Sequence, residues 1–328
     1  MSAGISLPNV SRLSERVVRV LGMNPGPMTL QGTNTYLVGK GKLRILVDTG
    51  EGKPDYLKNL KRAMDEAKCT GLHAVIITHH HHDHVGGVAQ ILRKFGSSIP
   101  VYKMNREAQF ENTVDAEAML QQELEDRSDC DLSDSKSLKS ASEHHDAKNL
   151  YKQLKEGMDF EIEGATLKVM HTPGHTSDHV ALFLKEEKVI FSGDCVLGQG
   201  TTVVGDLQSY MKSLNKLLRL NAEAIYPGHG PTVDDPQRKI QEYISHRKKR
   251  EAQILEALEG SSKPMTAMDI VKIVYRGIPS KVFPAAERNV IQHLLKLKSE
   301  AKVFLSSNEK QSENLGTLWC APSRRTRL

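Results

Sequence analysis

Residues 79–84 read His-His-His-His-Asp-His, directly after the apolar run Ala74-Val75-Ile76-Ile77 with Thr78 and just before Gly86-Gly87. Six ionisable side chains in a row cannot be buried without compensation. A fold that places this segment at the end of a core strand must therefore give it a shared cation. Alternation along extended chain puts His79 and His81 on one side, while the turn into a following helix presents Asp83 and His84 in another direction. One segment can thus serve two metal ions, with His80 and His82 pointing elsewhere and left out of the set.

Two metals need about four ligands each, with nitrogen and oxygen donors suiting zinc. The remaining donors must come from elsewhere in the chain. Thr172-Pro173-Gly174-His175, Phe191-Ser192-Gly193-Asp194 and Tyr226-Pro227-Gly228-His229 each end an apolar run in a glycine followed by a donor. Glycine lets the backbone turn sharply where a side chain must face a metal. His79, His81 and His175 are assigned to the first metal and Asp83, His84 and His229 to the second, with the Asp194 carboxylate bridging.

The surrounding pattern predicts alternating strands and helices. Residues 34–38 and 43–47 read as a hairpin around Gly39 and Gly41. Pro54, Leu57, Leu60, Met64 and Ala67 mark a helix, and Val88, Ile91, Leu92 and Phe95 mark another. Strands at 167–170, 180–184, 189–191 and 224–226 with a helix over 206–220 form a second half, so helices pack outside two facing sheets in a layered α/β fold. A long basic helix over 236–258 leads to two more helices, at 266–275 and 284–299, and to short apolar stretches at 303–305 and 318–320. That ending resembles a winged helix. The predicted division is 1–235 for the catalytic domain, 236–260 for a connecting helix and 261–328 for the C-terminal domain.

Residues 105–149 break the rhythm with 12 acids against 5 bases, and read as a mobile acidic insertion. The net charge of +5 conceals a polarity, since residues 245–328 hold 16 Lys or Arg against 8 Asp or Glu. Those bases either attract a polyanion or form a solvated face. No apolar run nears the roughly 18–20 residues that span a bilayer, so no membrane partner is expected. The four cysteines stand apart, which favours a reducing compartment over a disulfide framework. Residues 1–20, with Arg12, Arg16 and Arg19, read either as an amphipathic targeting segment or as a strand led by Val17, Val18 and Val20.

These motifs, in this order over residues 15–232, resemble the metallo-beta-lactamase superfamily. The resemblance implies an αββα sandwich holding two zinc ions, with manganese as the alternative. Within that family, residues 24–38, the run Phe191-Ser192-Gly193-Asp194-Cys195 and the winged-helix tail are similar to endoribonucleases of the mitochondrial matrix that act on single-stranded RNA. The implied chemistry is attack on phosphorus by a hydroxide bridging the metals. Asp83 is then the catalytic residue, as proton acceptor or as ligand alone. Within the basic tail, His246, Arg247, Lys248, Lys249, Arg250, Lys296 and Lys298 read either as contacts to RNA phosphates or as a soluble helix face. The implied location is the matrix, with cytosol as the alternative; oligomeric state is left open.

Two rivals stand beside this reading. Thr78-His79-His80-His81 followed by Asp83-His84 also resembles the first motif of the glyoxalase II family of thioester hydrolases. That family, however, continues its last ligand as Gly-His-Glu-Tyr-Thr, against Gly228-His229-Gly230-Pro231-Thr232 here. The other rival is a non-catalytic RNA-binding protein that has lost its metals. Among nearby residues, Asp48 either fixes a ligand tautomer or only forms a turn. His179 either assists a leaving group or is structural; His171 reads as structural, Cys195 as a small buried residue, and Asn34 as a candidate substrate contact.

Overall fold

The computed structural model describes residues 6–105, 151–306 and 316–322. Seven strands form the first sheet in sequence order: β1 (Val10–Arg12), β2 (Val17–Leu21), β3 (Asn34–Val38), β4 (Leu43–Val47), β5 (Gly71–Ile76), β6 (Val101–Lys103) and β7 (Tyr151–Gln153). The first four pair antiparallel, and the rest pair parallel through crossovers. Helix α1 (Pro54–Glu66) carries the chain from β4 to β5; the turn α2 (His82–Val85) and helix α3 (Val88–Phe95) carry it from β5 to β6. The helix expected to open at Gly86-Gly87 is α3, and the turn α2 before those glycines is additional to it. A Cβ at Gly87 would lie 2.1 Å from the Thr49 carbonyl oxygen, so only glycine lets the chain pass there.

The second sheet is β12-β11-β10-β9-β8, with β8 (Asp159–Ile162), β9 (Ala165–His171), β10 (Val180–Leu184), β11 (Val189–Gly193) and β12 (Ala224–Pro227). Helix α4 (Leu207–Leu218) makes the parallel crossover from β11 to β12, and Asp206 caps it by accepting the Gln208 and Ser209 amides. Alternate residues of both sheets, such as Tyr36, Ile45 and Ile76 facing Val169, Leu182 and Phe191, fill the space between them. The opposite face of the first sheet buries Leu37, Leu46 and Ile77 against Leu60 and Ile91. The opposite face of the second buries Ile190 and Ile225 against Leu214 and Ile240. The result is four layers, helix on sheet on sheet on helix.

Helix α5 (Pro236–Gly260) begins on Pro236 behind the Asp235 cap. It belongs to two cores: Ile240, Tyr243 and Ile244 pack on the second sheet, whereas Ile254 and Leu258 join the C-terminal core. That core also holds α6 (Ala267–Val274), which starts in a Thr266/Asp269 capping box, and α7 (Phe283–Ser299). The short pair β13 (Phe304–Leu305) and β14 (Trp319–Cys320) completes a winged-helix domain, with Trp319 buried.

Val17–Leu21 is buried throughout and hydrogen-bonded between β1 and β3, in keeping with the strand reading of Val17, Val18 and Val20. Strands β6, β7 and β8, each of three or four residues, were not expected. The acidic insertion lies, from residue 106, outside the described residues. Among the described residues no helix is long and apolar enough to cross a membrane.

Candidate metal centre

All seven expected donors meet at one end of the seam between the sheets. Nε2 of His79 lies 2.8 Å from Nδ1 of His81, which lies 3.0 Å from Nε2 of His175. Beside them, Nε2 of His84 is 3.3 Å from Nε2 of His229, and both are 3.2 Å from Oδ2 of Asp83. Asp194 stands between the groups, with Oδ1 3.4 Å from His84 and Oδ2 3.7 Å from His175 and 3.4 Å from His229.

These separations fit metal ions. Four ligands at about 2.0–2.1 Å around a tetrahedral zinc stand roughly 3.3–3.4 Å apart, which the observed spacings bracket. Oδ1 of the buried Asp194 has no hydrogen-bond partner, and an unpaired buried carboxylate oxygen is costly unless a cation faces it. The donors also shift one another's proton affinities. Burial raises the Asp194 carboxyl, but His229 and His84 outweigh that and hold it well below the carboxylate range. Burial likewise lowers His229, yet Asp194 and Asp83 push it up to about 10. Metal uptake would displace protons from such donors.

Hydrogen bonds behind the donors fix their direction. Nδ1 of His84 donates to Oδ2 of Asp48 at 2.7 Å, leaving Nε2 for the centre. Asp48 also accepts the Thr78 amide at 2.8 Å and the Thr78 hydroxyl at 2.9 Å. That hydroxyl lies 3.0 Å from Nδ1 of His79, and Nδ1 of His175 donates to the Val203 carbonyl at 2.8 Å. The Thr33 hydroxyl donates to Oδ2 of Asp83 at 2.7 Å. Asp48 thus acts on a ligand tautomer in addition to turning the chain.

The glycines act by close approach. Gly174 has φ +137, and a Cβ there would lie 2.4 Å from Cα of Tyr210, so α4 rests directly on the loop carrying His175. A Cβ on Gly228 would lie 2.3 Å from Oδ1 of Asp194.

Other residues singled out in the sequence take supporting places. Asn34 donates to the carbonyls of Pro227 at 2.8 Å and Gly230 at 2.9 Å, which occupies the amide expected to face substrate. His179 accepts the Asp194 amide at 3.0 Å and donates to the Thr172 hydroxyl at 2.8 Å; burial first, then His175, pushes it down to about 3, so it is a neutral support. His171 donates to the Ser177 carbonyl at 2.8 Å, and Cys195 is buried, its thiol raised to about 12 by burial.

The basic C-terminal region departs from expectation. Arg247 is buried and donates to the Thr202 carbonyl at 3.0 Å. Arg250 lies 3.8 Å over the Tyr275 ring and donates to Val274. Lys296 pairs with Glu251 at 2.6 Å and Glu300 at 2.7 Å. These three hold the domains together and are not available to phosphates, whereas Lys248 and Lys249 are exposed.

Sequence reasoning missed the supporting roles of Thr33 and Thr78 and a buried knot around Asp178, and it read Arg247 as a solvent-facing base. Asp178 is fully buried; its Oδ1 accepts His80 at 2.9 Å and Thr176 at 2.8 Å, and its Oδ2 meets Lys103 at 2.8 Å. The run Thr176-Ser177-Asp178-His179 carried the signal, since a carboxylate beside a ligand loop needs partners.

Comparison with known proteins agrees with this architecture. Residues 28–229 match the profile of the metallo-beta-lactamase superfamily, and residues 266–310 match the beta-lactamase associated winged helix domain. The chain belongs to the metallo-beta-lactamase superfamily, as a hydrolase fold with His/Asp clusters suited to a pair of metal ions. It is 42% identical to the beta-lactamase-like protein 2 homolog of Drosophila melanogaster, over 92% of this chain and 94% of that one. It is 36% identical to an atrochrysone carboxyl ACP thioesterase of Aspergillus chevalieri, over 90% of this chain and 85% of that one. A beta-lactamase domain protein from Burkholderia ambifaria shares the fold, with a TM-score of 0.71 and 18% identity over 98% of this chain and 96% of that one.

Proposed function

We propose that this hydrolase is an endoribonuclease that cleaves single-stranded RNA with two zinc ions, manganese being the alternative. The observation that carries the reading is the pairing of two donor triads around Asp194 with a winged-helix domain whose connecting helix exposes Lys248 and Lys249. His79, His81 and His175 would hold one ion, Asp83, His84 and His229 the other, with Asp194 between them. The ions, when bound, supply Lewis acidity that offsets phosphate charge and eases ionisation of an attacking water. Asp83 stays ionised: burial raises its carboxyl, but His84 and His229 hold it far below its usual range. Its carboxylate would accept a water proton, and the Thr33 hydroxyl, donating to Oδ2, fixes how that group points. Water oxygen joins phosphorus, one ester P–O bond breaks, and the leaving oxygen takes a proton from solvent. The proposal extends to the mitochondrial matrix, with cytosol as the alternative, on the resemblance of residues 24–38 and 191–195.

A second reading, thioester hydrolysis, is favoured by the Aspergillus chevalieri relative, which aligns over most of the chain. The same centre would then cleave carbon–sulfur bonds. The non-catalytic alternative is disfavoured by the convergence of all seven donors.

The test is a labelled single-stranded RNA and an acyl thioester offered in parallel to wild type, His79→Ala and Asp194→Ala, each with measured metal content. RNA cleavage lost in both variants supports the nuclease. Thioester turnover with intact RNA moves the assignment to the second reading, and inactivity on both substrates by metal-loaded wild type rejects both.

A further inference from the structure

The connecting helix reaches the candidate metal centre through one loop. The loop of residues 197–205 runs from β11 to α4, and its Val203 carbonyl accepts Nδ1 of His175 at 2.8 Å, with the Thr202 hydroxyl 3.2 Å from the same nitrogen. The carbonyl one residue earlier, that of Thr202, accepts Arg247 of α5 at 3.0 Å. One turn before, the Tyr243 hydroxyl accepts the Leu197 amide at 3.2 Å and donates to the Gly200 carbonyl at 2.9 Å. Residues i and i+4 of a helix share a face, so α5 grips this loop at both ends with two side chains. The loop needs such a grip. It holds Gly198, Gly200 and Gly205, the side chain of Val203 is exposed, and its backbone bonds in the described residues go mainly to the His229 carbonyl and to Gly174.

We propose that Arg247 is a positioning residue for His175: by holding the Thr202 carbonyl it fixes the neighbouring Val203 carbonyl that orients the His175 ring. Its buried guanidinium lies 5.8 Å over the Tyr210 ring, against the same helix α4 that rests on Gly174. The guanidinium is thus confined from two sides. One turn further, Arg250 grips the winged-helix domain through Tyr275 and Val274. The C-terminal domain is in this way fastened to one ligand of one metal position. His84 and Asp83 take their support from Asp48 and Thr33 on the first sheet, and the loop meets His229 through the Gly198 amide, four residues before the Thr202 carbonyl that Arg247 holds. Loss of Arg247 therefore acts on one of the two metal positions.

This inference rests on the metal reading of the donor clusters, and its test separates the two. The full chain, stripped of metal, is titrated with Zn2+ against a chromophoric chelator as wild type, Arg247→Met and Arg247→Lys, with melting of the metal-free proteins followed alongside. Removing a group that orients a metal ligand typically costs ~10–100-fold in affinity. Arg247 acts one bond further out, so one of the two binding steps is expected to weaken by about 10-fold in Arg247→Met and to recover in part in Arg247→Lys. The other step stays unchanged. Equal weakening of both steps, or two unchanged steps in a folded Arg247→Met, overturns the role of Arg247. Failure of wild type to take up two ions overturns the centre itself. Should Arg247→Met not fold, Arg247→Lys alone is titrated, with a smaller weakening of the same single step expected and two unchanged steps overturning the role.

Discussion

Asp48 and His84 are joined by a 2.7 Å hydrogen bond that fixes which imidazole nitrogen faces the metal centre. Asp48 sits at φ 58, a left-handed conformation that Asp and Asn tolerate better than other side chains. Asp48→Asn therefore keeps the turn while weakening the anionic acceptor. Metal affinity is expected to drop ~10–100-fold, in the step that Arg247→Met leaves intact, as read by the same chelator titration. An unchanged affinity would mean that Asp48 only shapes the turn.

Asp178 is a second buried carboxylate with a structural duty. Lys103 and His80 both point at it, so Asp178→Ala leaves a part-buried ammonium without its carboxylate. Removing the partner of a part-buried polar group costs about 1–3 kcal/mol. Denaturant unfolding of Asp178→Ala should show that loss, and the double variant Lys103→Met with Asp178→Leu should regain part of it. No regain would show that Asp178 matters chiefly for holding His80 and Thr176.

The donors were legible because of how they are written in the chain. His79, His81, Asp83 and His84 are close neighbours, and His175, Asp194 and His229 each follow a glycine at a strand end. The supports were less legible because much of that work falls to backbone. The Val203 carbonyl that orients His175 leaves no mark on residue identity, and the Asp178–Lys103 pair joins residues far apart in sequence. Short strands such as β6 and β8 carry too few residues to show alternation. Arg247 was misread for a different reason: it lies in a run of bases that looks uniformly solvated. Yet Ile240, Tyr243, Ile244 and Arg247 follow the spacing of one buried helix face, which places the arginine inward.

His293, on α7, is fully buried, and neither ring nitrogen has a hydrogen-bond partner. Burial first, then Arg247, Arg250, Lys296 and His246, pushes it down to about 3. The folded protein thus refuses a proton that the unfolded chain takes up near pH 6.5. Stability is full above that pH and falls as pH drops toward 3. At pH 5 the loss is on the order of 2 kcal/mol. Melts at pH 5 and 7.5 should show a drop smaller by about that amount in His293→Leu than in wild type, and at pH 7.5 the variant should be close to neutral because no hydrogen bond is removed. Equal pH dependence in both proteins would exclude His293 as the source.

If the connecting helix meets RNA, its exposed lysines are the residues that touch phosphate. Lys248→Glu with Lys249→Glu should weaken binding of a short single strand at low salt and flatten the plot of log affinity against log salt by about 0.7 for each phosphate no longer neutralised. A slope identical to wild type would move the polyanion-binding surface away from α5.

The donors divide between the two sheets: four stand at the end of β5, on the first sheet, and three follow strands of the second. A metal pair held this way would work as a rivet. Each ion would take ligands from both halves, so the sheets could not part without shedding it, and an ion that stayed bound would keep the sandwich shut. Metal release and the opening of the seam should accordingly be one event on heating, seen at the same temperature by a metal indicator and by the fluorescence of the tyrosines Tyr36 and Tyr226, which stack at 5.8 Å inside that seam.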